Sequence, residues 1–233
     1  MRFTEKCSVC GKSDFSHNNV LWPELITEWE LLPHEVDYIN RQQGFVCTYC
    51  GNNLRSIALA DAILDKYNFI GTLNDFVKSD VARNINVLEI NESGGLTSTL
   101  SQMPHHLIVK YPDYDMTNLS LDKELFDLVI HSDTLEHVPD PGLGLSECYR
   151  ILNKNGKCIF TVPIIVDRVS RSRSNLVPSY HGRSEVQEND QLVYTEFGMD
   201  IWDIVLKAGF RSCEIYSFEY PAALVLIAKK GGD

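Results

Sequence analysis

The second half of the chain alternates short apolar runs with segments of helical periodicity. The runs are INVLEI (85–90), HLIVKY (106–111), FDLVIHS (126–132) and KCIFTVP (157–163). Runs of this length are typical of strands that are buried on both faces of a sheet. Because strands that alternate with helices form a parallel sheet covered by helices, we expect a doubly wound α/β fold. In such a sheet, ligands bind beyond the carboxyl ends of the strands.

Helices are predicted where apolar residues recur every three to four positions, over residues 53–67, 142–152 and 196–208. Two further apolar runs, 211–220 and 222–230, close the chain. Because only a proline separates these runs, they predict an antiparallel hairpin at one edge of an otherwise parallel sheet.

The acidic composition limits the partners of the protein. The 233 residues carry a formal net charge of -11, whereas sequence-independent binding to nucleic acid needs Lys and Arg that neutralise phosphates. We therefore expect no nucleic-acid partner. No apolar run reaches the roughly 18 residues of a membrane span, and the N-terminal sequence MRFTEKCSVCG does not resemble a signal peptide. We expect a cytoplasmic protein with no membrane partner, and the composition leaves its oligomeric state open.

Four of the seven cysteines form two Cys-x-x-Cys pairs. Cys7 and Cys10 form the first pair, Cys47 and Cys50 form the second, and a glycine follows each pair. Zinc prefers four thiolates in a tetrahedron, which two such pairs supply. We therefore predict a structural zinc site in a small, otherwise irregular module, residues 1–52. Four unrelated reduced cysteines are the alternative interpretation, and a redox dithiol is disfavoured because no strand precedes either pair.

The remaining cysteines, Cys148, Cys158 and Cys213, are isolated within apolar patterns. Free cysteine usually packs as a small buried hydrophobe, so core packing is expected for all three. After the zinc module we expect a helical connector, residues 53–84, and then the main domain, residues 85–233.

The most specific pattern in the chain lies within residues 126–163. It comprises Phe126-Asp127, Leu135-Glu136-His137-Val138, Tyr149-Arg150-Ile151-Leu152, Asn155-Gly156 and Thr161-Val162-Pro163. This segment resembles the region from the fourth to the fifth strand of class I S-adenosylmethionine-dependent methyltransferases, in the methyltransferase type 11 group. The resemblance extends over about 85–230. It implies a Rossmann-like fold, S-adenosylmethionine as the cofactor and methyl transfer as the activity.

The chain also departs from this family. The family places two further strands between its first strand and the FDLVI segment, whereas this chain has only the apolar run at 106–111. We therefore predict a sheet that is shorter by one strand.

The resemblance implies that the first strand leads into a glycine turn close to the cofactor. Glu89 matches the acidic residue that ends this strand in the family. Asn91 and Ser93 stand where glycines are common, and Gly94 and Gly95 come late. Gly94 and Gly95 are therefore the candidates for the unhindered turn before a helix.

The segment after the second apolar run is a candidate nucleoside site. Asp115 and Met116 resemble the loop whose acid accepts a hydrogen bond from the adenine amino group. Asp113 is a candidate ligand for the ribose hydroxyls. Aspartates at such positions also occur simply as turn residues, which is the alternative for both.

The segment after the strand at 126–132 is a candidate methionine-binding loop. Ser132 and Asp133 leave the carboxyl end of the strand, where backbone amides can face the methionine moiety. For His137, the resemblance favours a position near the cofactor and no role as a base. A histidine that bonds a nearby backbone group at the start of a helix is the alternative.

The segment 164–194 is expected to be an irregular lid or binding loop on the acceptor side, because loops of this length in a compact domain are usually functional. A hydroxyl acceptor needs a base, and His181 and Glu196 are the candidate catalytic residues. A solvated loop histidine is the alternative for His181. The arginines that could hold an acidic group of the substrate are Arg168, Arg171 and Arg173.

Three functions are compared on these grounds. The leading one is methyl transfer from S-adenosylmethionine to a small or medium acceptor, such as the hydroxyl of a sugar or sugar nucleotide. A zinc-module binding protein with a catalytically decayed methyltransferase fold is the alternative, motivated by the atypical turn at 91–95. A nicotinamide-dependent oxidoreductase is disfavoured, because no G-x-G-x-x-G follows the first strand.

Overall fold

The computed structural model describes residues 4–180 and 191–232. The contacts between its Cα atoms divide the chain into two compact units, each built from three stretches. Unit 1 comprises Met1–Asn84, Gly94–His105 and Ile215–Val225, and unit 2 comprises Ile85–Ser93, His106–Glu214 and Leu226–Asp233. Unit 1 thus takes in both the predicted zinc module and the predicted connector.

Unit 1 is mainly helical. Its elements are β1 (Phe15–His17), α1 (Pro23–Glu28), α2 (Pro33–Gly44), β2 (Phe45–Cys47), α3 (Leu54–Lys66), α4 (Leu73–Phe76) and α5 (Thr97–Leu100). Strands β1 and β2 pair in antiparallel fashion. The expectation that residues 1–52 are irregular is therefore wrong. Helices α1 and α2 both begin with proline, which suits the first turn because its N–H groups have no partner within the helix.

Helix α3 confirms the helix predicted over 53–67. Its first turn is capped by Asn53, whose side chain accepts a hydrogen bond from the amide of Ser56 at 3.0 Å. Ile57, Ala60 and Leu64, which the helical spacing places on one face, are all buried, and so are six further residues around the helix. The periodicity therefore identified the helix and part of its buried surface.

The central sheet has six strands. Its new elements are β3 (Val87–Ile90), β4 (His106–Val109), β5 (Phe126–Ser132), β6 (Leu152–Thr161), β10 (Ser212–Glu219) and β11 (Ala223–Lys229). The strand order is β10-β11-β6-β5-β3-β4. Strand β3 pairs in parallel with β4 and β5, β5 pairs in parallel with β6, and β11 pairs antiparallel with β6. The chain therefore has a Rossmann-like α/β fold with an antiparallel edge, as predicted.

The shortened sheet is also confirmed. Residues 91–125 are all described, and β4 is the only strand among them. The segment that follows β4 forms turns instead of a helix and a further strand.

Helix α6 (Pro141–Ile151) connects β5 to β6, as predicted from its apolar spacing. Asp140 caps it by accepting a hydrogen bond from the amide of Leu143 at 3.0 Å. Asn155 lies inside β6, where the register of the pairing with β5 shifts. Asn155 has a φ of 63° there, a backbone conformation that asparagine tolerates better than most residues.

The predicted helix over 196–208 is wrong in its first part. Residues Thr195–Gly198 form strand β9, and helix α7 covers only Ile201–Lys207. Strand β9 pairs with β7 (Ile164–Ile165) and β8 (Arg171–Ser172) in a small three-stranded sheet. These two strands also correct the expectation that 164–194 is irregular throughout.

The physical reason for strand β9 is tertiary pairing. An added Cβ at Gly198 would lie 2.1 Å from the carbonyl oxygen of Arg168, so the two backbones approach more closely than a side chain permits.

Among the described residues, none of the helices has both the length and the apolar character needed to cross a membrane.

Candidate functional site

A cavity of about 440 Å³ lies in unit 2. Its floor is formed where three neighbouring parallel strands end: Ile90–Glu92 at the end of β3, Lys110–Tyr111 after β4, and Ser132–Thr134 at the end of β5. This is the edge of an α/β sheet at which ligands bind, and the volume falls in the range of small-molecule sites. The wall also includes Tyr114, Asp115, Met116, His137, Val138, Pro139, Gln191 and Tyr194.

Two of the cavity residues have left-handed backbone conformations. Asn91 has a φ of 57° and Asp133 has a φ of 46°, and each comes directly after a strand. Such conformations are uncommon for residues other than glycine, and Asn and Asp tolerate them best. Asn91 therefore adopts, at the position where the family commonly has a glycine, a backbone conformation that glycine would also allow.

Backbone and side chain both hold Asn91 in place. Its N–H donates to the carbonyl oxygen of Val109 at 2.8 Å, and its Oδ1 accepts from the N–H of Tyr111 at 3.0 Å. The side chain of Asn91 thus ties the end of β3 to the segment after β4. A glycine could adopt the same φ but would lack this hydrogen bond.

Glu89 supports the turn from beneath and does not line the cavity. Its side chain is fully buried, its Oε1 accepts from the N–H of Ser93 at 2.8 Å, and its Oε2 lies 2.8 Å from Nε2 of His106. A buried carboxylate is stable only when it is hydrogen-bonded or paired, and both of its oxygens are engaged here. Glu89 is therefore a positioning residue for the turn.

Gly94 and Gly95 belong to unit 1 and are not among the residues that line the cavity. An added Cβ at Gly95 would lie 2.5 Å from Oδ1 of Asn52, and one at Gly94 would lie 3.0 Å from Oγ of Ser56. The absence of a side chain at these two positions is explained by close packing at the start of α3.

The structure separates the two candidate aspartates of the nucleoside loop. Asp115 lines the cavity beside Met116, which is buried. Oδ1 of Asp115 accepts hydrogen bonds from the N–H and the hydroxyl of Thr117, both at 2.8 Å. Oδ2 takes no part in these two hydrogen bonds. Asp113 is exposed and does not line the cavity.

An ion pair on α6 holds the end of this loop, at residues 119–121. This ion pair was not predicted from the sequence. The carboxylate of Glu147 accepts from the guanidinium of Arg150 at 2.7 and 2.8 Å and from the N–H of Leu119 at 2.9 Å. The guanidinium also donates to the carbonyl oxygens of Leu119 and Leu121. Hydrogen bonding to Arg150 lowers the pKa of Glu147.

The segment after β5 brings Ser132, Asp133 and His137 to the cavity. The hydroxyl of Ser132 is 2.8 Å from the hydroxyl of Thr161 on β6, and the N–H of Asp133 donates to the carbonyl oxygen of Thr161 at 3.0 Å. Nδ1 of His137 lies 3.0 Å from the carbonyl oxygen of Leu192. His137 therefore lines the cavity and also bonds the backbone, and its position near a cofactor stays a prediction.

The acceptor-side segment reaches the cavity at its end. Gln191 and Tyr194 line the wall, and the N–H of Tyr194 donates to the carbonyl oxygen of Glu136 at 2.8 Å. Oε1 of Gln191 is buried and has no hydrogen-bond partner within the part of the chain that is described. These residues are distant in sequence from the strand ends, so local patterns carry no signal for them.

Of the two candidate bases, His181 and Glu196, the structure describes only Glu196. His181 lies outside the described residues. Glu196 is buried, does not line the cavity, and holds the guanidinium groups of Arg171, at 2.5 Å, and Arg173. Because both of its oxygens accept from arginines, the geometry suits an ion pair that joins β8 to β9 better than a base. The same pairing occupies two of the arginines considered for an acidic substrate group.

The charges around the cavity are mainly negative. Its wall carries the carboxylates of Glu92, Asp115 and Asp133 against the ammonium of Lys110, which lies 2.5 Å from Glu92. A concave site with an excess of one sign of charge favours ligands of the opposite sign. The cavity is therefore suited to a ligand with a net positive charge.

The second candidate site is formed by the four cysteines of unit 1. Their sulfur atoms all lie within 4.8 Å of one another, and Cys7–Cys50 and Cys10–Cys47 are 3.6 Å apart. A tetrahedral zinc ion with bonds of about 2.3 Å would separate its sulfur ligands by about 3.8 Å. The donor set and its spacing therefore fit zinc.

Both cysteine pairs have the same local geometry. The glycines after them, Gly11 and Gly51, have φ values of 77° and 73°. Each donates its N–H to the carbonyl oxygen of the first cysteine of its pair, Cys7 at 2.7 Å and Cys47 at 2.9 Å. The left-handed glycine folds each pair into a compact knuckle with both sulfurs on one side.

Residues 70–160 match the family described as a methyltransferase domain. No curated protein matches the chain.

Many solved structures are similar to the chain, and three of them serve as examples. One is a SAM-dependent methyltransferase from Thermotoga maritima, with 19% identity over 74% of this chain and 98% of that chain and a TM-score of 0.39. Another, from Methanosarcina mazei, has 13% identity over 65% and 94% and a TM-score of 0.41. The third, PigF with SAH, has 16% identity over 73% and 59% and a TM-score of 0.44. With TM-scores this low, the fold assignment rests on the strand order and the family match.

Proposed function

Because this chain belongs to the class I S-adenosylmethionine-dependent methyltransferases, we propose that the cavity of unit 2 holds the cofactor and that the acceptor is a small molecule with a hydroxyl group, such as a sugar or sugar nucleotide. The observation that carries the proposal is the position of the cavity at the carboxyl ends of β3, β4 and β5.

The charge of the cavity supports this cofactor. S-adenosylmethionine supplies an activated methyl group on a sulfonium, and with its ammonium and carboxylate it carries a net positive charge at neutral pH. The cavity wall has three carboxylates and one lysine. Attraction between the two favours the cofactor over its neutral demethylated product, which assists product release.

Individual residues have separate tasks in this proposal. Asp115 accepts a hydrogen bond from the adenine amino group, with Met116 as an apolar neighbour of the ring. The backbone after β5, at Ser132 and Asp133, faces the methionine moiety. Asn91 shapes the turn that lets the ligand approach the end of β3 closely.

The acceptor is proposed to bind on the side formed by Gln191 and Tyr194. Oε1 of Gln191 is a buried acceptor atom that lacks a partner in the described chain, and a hydroxyl of the acceptor would satisfy it. Methyl transfer is an in-line displacement, so the main task of these residues is to align the acceptor oxygen with the methyl group. A hydroxyl acceptor also loses a proton, and we propose His181 as its base.

Calorimetric titration tests the cofactor. S-adenosylmethionine is expected to bind with one site per chain, whereas NAD⁺ is expected not to bind. Binding of NAD⁺ and no binding of S-adenosylmethionine would overturn the proposal in favour of an oxidoreductase. Turnover is then measured with radiolabelled cofactor against sugars and sugar nucleotides, with amines of similar size as the contrast. Transfer to amines alone would show that the hydroxyl acceptor is wrong.

We further propose that Cys7, Cys10, Cys47 and Cys50 bind one structural zinc ion. The support is that the four sulfurs all lie within 4.8 Å of one another, with two pairs at 3.6 Å, and that the two knuckles match. Four thiolates leave no position for a substrate, so the ion would stabilise the fold and take no part in the reaction. Its binding free energy would contribute directly to the folding of the segment it joins.

A further inference from the structure

His131 lies in the core of unit 2 without the hydrogen bonds that a buried imidazole normally makes. It belongs to β5, its side chain is fully buried, and its ring stacks on Phe160 with the centroids 4.5 Å apart. Neither Nδ1 nor Nε2 has a hydrogen-bond partner among the described residues. A buried polar group without a partner is costly, so these nitrogen atoms call for an explanation.

Two thiols face this ring. Cys148 on α6 and Cys158 on β6 are fully buried, and their sulfur atoms and a ring nitrogen of His131 all lie within 4.8 Å of one another. The strand register accounts for part of this arrangement. His131 is opposite Phe160 and Val129 is opposite Cys158, so these four residues share one face of the sheet. Helix α6 adds Cys148 to the same face.

The donor atoms select a class of ligand. One imidazole and two thiols are the ligands of soft cations, whereas Ca²⁺ and Mg²⁺ require oxygen ligands, which this cluster does not supply. The cluster therefore favours a soft cation over a hard one.

We propose that His131, Cys148 and Cys158 form a second metal site, which binds one soft d¹⁰ cation, Zn²⁺ or Cu(I), in the core of unit 2. On binding, each thiol releases one proton and becomes a thiolate ligand, and no electron is transferred. Three donors complete the coordination of Cu(I), whereas Zn²⁺ prefers a fourth ligand. The site shares no residue with the four-cysteine cluster or with the lining of the cavity.

The position of this site connects it to the cavity. His131 directly precedes Ser132 and Asp133, which line the cavity, and Cys158 precedes Thr161 on β6 by three residues. Thr161 in turn bonds both Ser132 and Asp133. A cation bound to β5, β6 and α6 would therefore hold together the strand ends beneath the cavity.

The experiment uses the full-length protein, kept reduced and free of oxygen. Apo protein is refolded with excess Zn²⁺ or with Cu(I) after zinc loading, loosely bound metal is removed by gel filtration, and metal per chain is measured by elemental analysis. His131→Phe is the main variant, because it keeps the ring that stacks on Phe160 and removes both nitrogens. Cys213→Ala is the matched control, because its thiol lies outside the three-residue cluster.

With the cation that the site binds, wild type and Cys213→Ala are expected to hold one more ion per chain than His131→Phe and Cys158→Ala. The cation that shows this difference identifies the metal. Equal metal content in wild type and His131→Phe with both cations would overturn the proposal and leave the two thiols as core packing.

X-ray absorption of wild-type protein gives a second measurement that needs no variant. If zinc fills both sites, its edge reports about three sulfurs and half a nitrogen per ion on average, as against four sulfurs for the four-cysteine site alone. If copper fills the second site, its edge reports two sulfurs and one nitrogen. A spectrum with only sulfur ligands at both edges would contradict the proposal.

Discussion

Glu147 and Arg150, one turn apart on α6, form an ion pair whose two side chains also hold the backbone of residues 119–121. This backbone follows Asp115 and Met116 in the wall of the cavity. The ion pair therefore holds the proposed nucleoside loop against α6, and we call this pair the clamp.

Replacing Glu147 by alanine should release this loop. The variant loses two hydrogen bonds to Arg150 and one to the backbone, so we expect a loss of roughly 1–2 kcal/mol of stability and a Tm lower by roughly 2–8 °C. S-adenosylmethionine should bind several-fold more weakly. Thermal denaturation and calorimetry measure the two effects. The control is Asp203→Ala, which removes an exposed pair with Lys207 on α7 and should change stability by less than about 0.5 kcal/mol. Equal effects of the two substitutions would show that the clamp is unimportant.

The same pair predicts a pH dependence. Arg150 lowers the pKa of Glu147 in the folded protein below its value in the unfolded chain. The stability contributed by this carboxylate is therefore present above the unfolded pKa of about 4.3, and it is lost as the pH falls through the lowered folded pKa. Wild type and Glu147→Gln should differ in stability at neutral pH and converge in acid. Denaturant titrations from neutral pH to about pH 3 check this, and a difference that stays constant would contradict it.

Asp115→Ala should weaken the binding of S-adenosylmethionine by about tenfold or more, because a lost hydrogen bond to the adenine amino group costs roughly 1–3 kcal/mol. Asp113→Ala serves as the matched control, since it removes an exposed carboxylate that lies two residues away and outside the cavity. Calorimetry measures both affinities. A larger loss in Asp113→Ala would move the nucleoside to the other side of this loop.

Asn91 is expected to tolerate glycine and to reject a β-branched residue. Asn91→Gly keeps the left-handed turn and should bind S-adenosylmethionine within a few-fold of wild type. Asn91→Val forces a β-branched residue into a φ near 57°, which should lower the stability by about 1–2 kcal/mol and weaken cofactor binding. Thermal denaturation of both variants, followed by calorimetry, decides between them. Similar stability of the two variants would show that this turn rearranges freely.

Cys10→Ser should lower the zinc content by one ion per chain and destabilise unit 1, because the remaining three thiolates bind the ion less tightly. Elemental analysis and thermal denaturation with and without a chelator measure this. Cys213→Ser is the control, since Cys213 belongs to neither group of clustered ligands. Zinc content that is unchanged in Cys10→Ser would place the metal elsewhere.

His181→Ala should lower turnover by about 10²- to 10⁴-fold if His181 is the base for a hydroxyl acceptor. Cofactor affinity should change little, because the side chain would face the acceptor. Initial rates and calorimetry separate these quantities. His105→Ala removes an exposed histidine and should retain full activity. Full activity in His181→Ala would rule out this base.

The sequence by itself determined the central architecture, because the periodicity of apolar residues reports directly which faces of a strand or helix are buried. The strands β3 to β6 and the helices α3 and α6 were all predicted from such patterns. The single apolar run between residues 91 and 125 also predicted the shortened sheet. The two cysteine pairs predicted the four-sulfur cluster, because the spacing within each pair is a local property.

Tertiary structure alone decided which residues meet at the cavity and in the core. Strand β9 was predicted as helix, because its pairing with β7 and β8 involves residues far away in the chain. Gln191 and Tyr194 reach the cavity for the same reason. Gly95 suggested a cofactor turn, yet its lack of a side chain serves the packing of Asn52. Such contacts depend on how segments far apart in the sequence pack together. The apolar periodicity of each segment reports only which of its own faces is buried, so it does not predict these contacts.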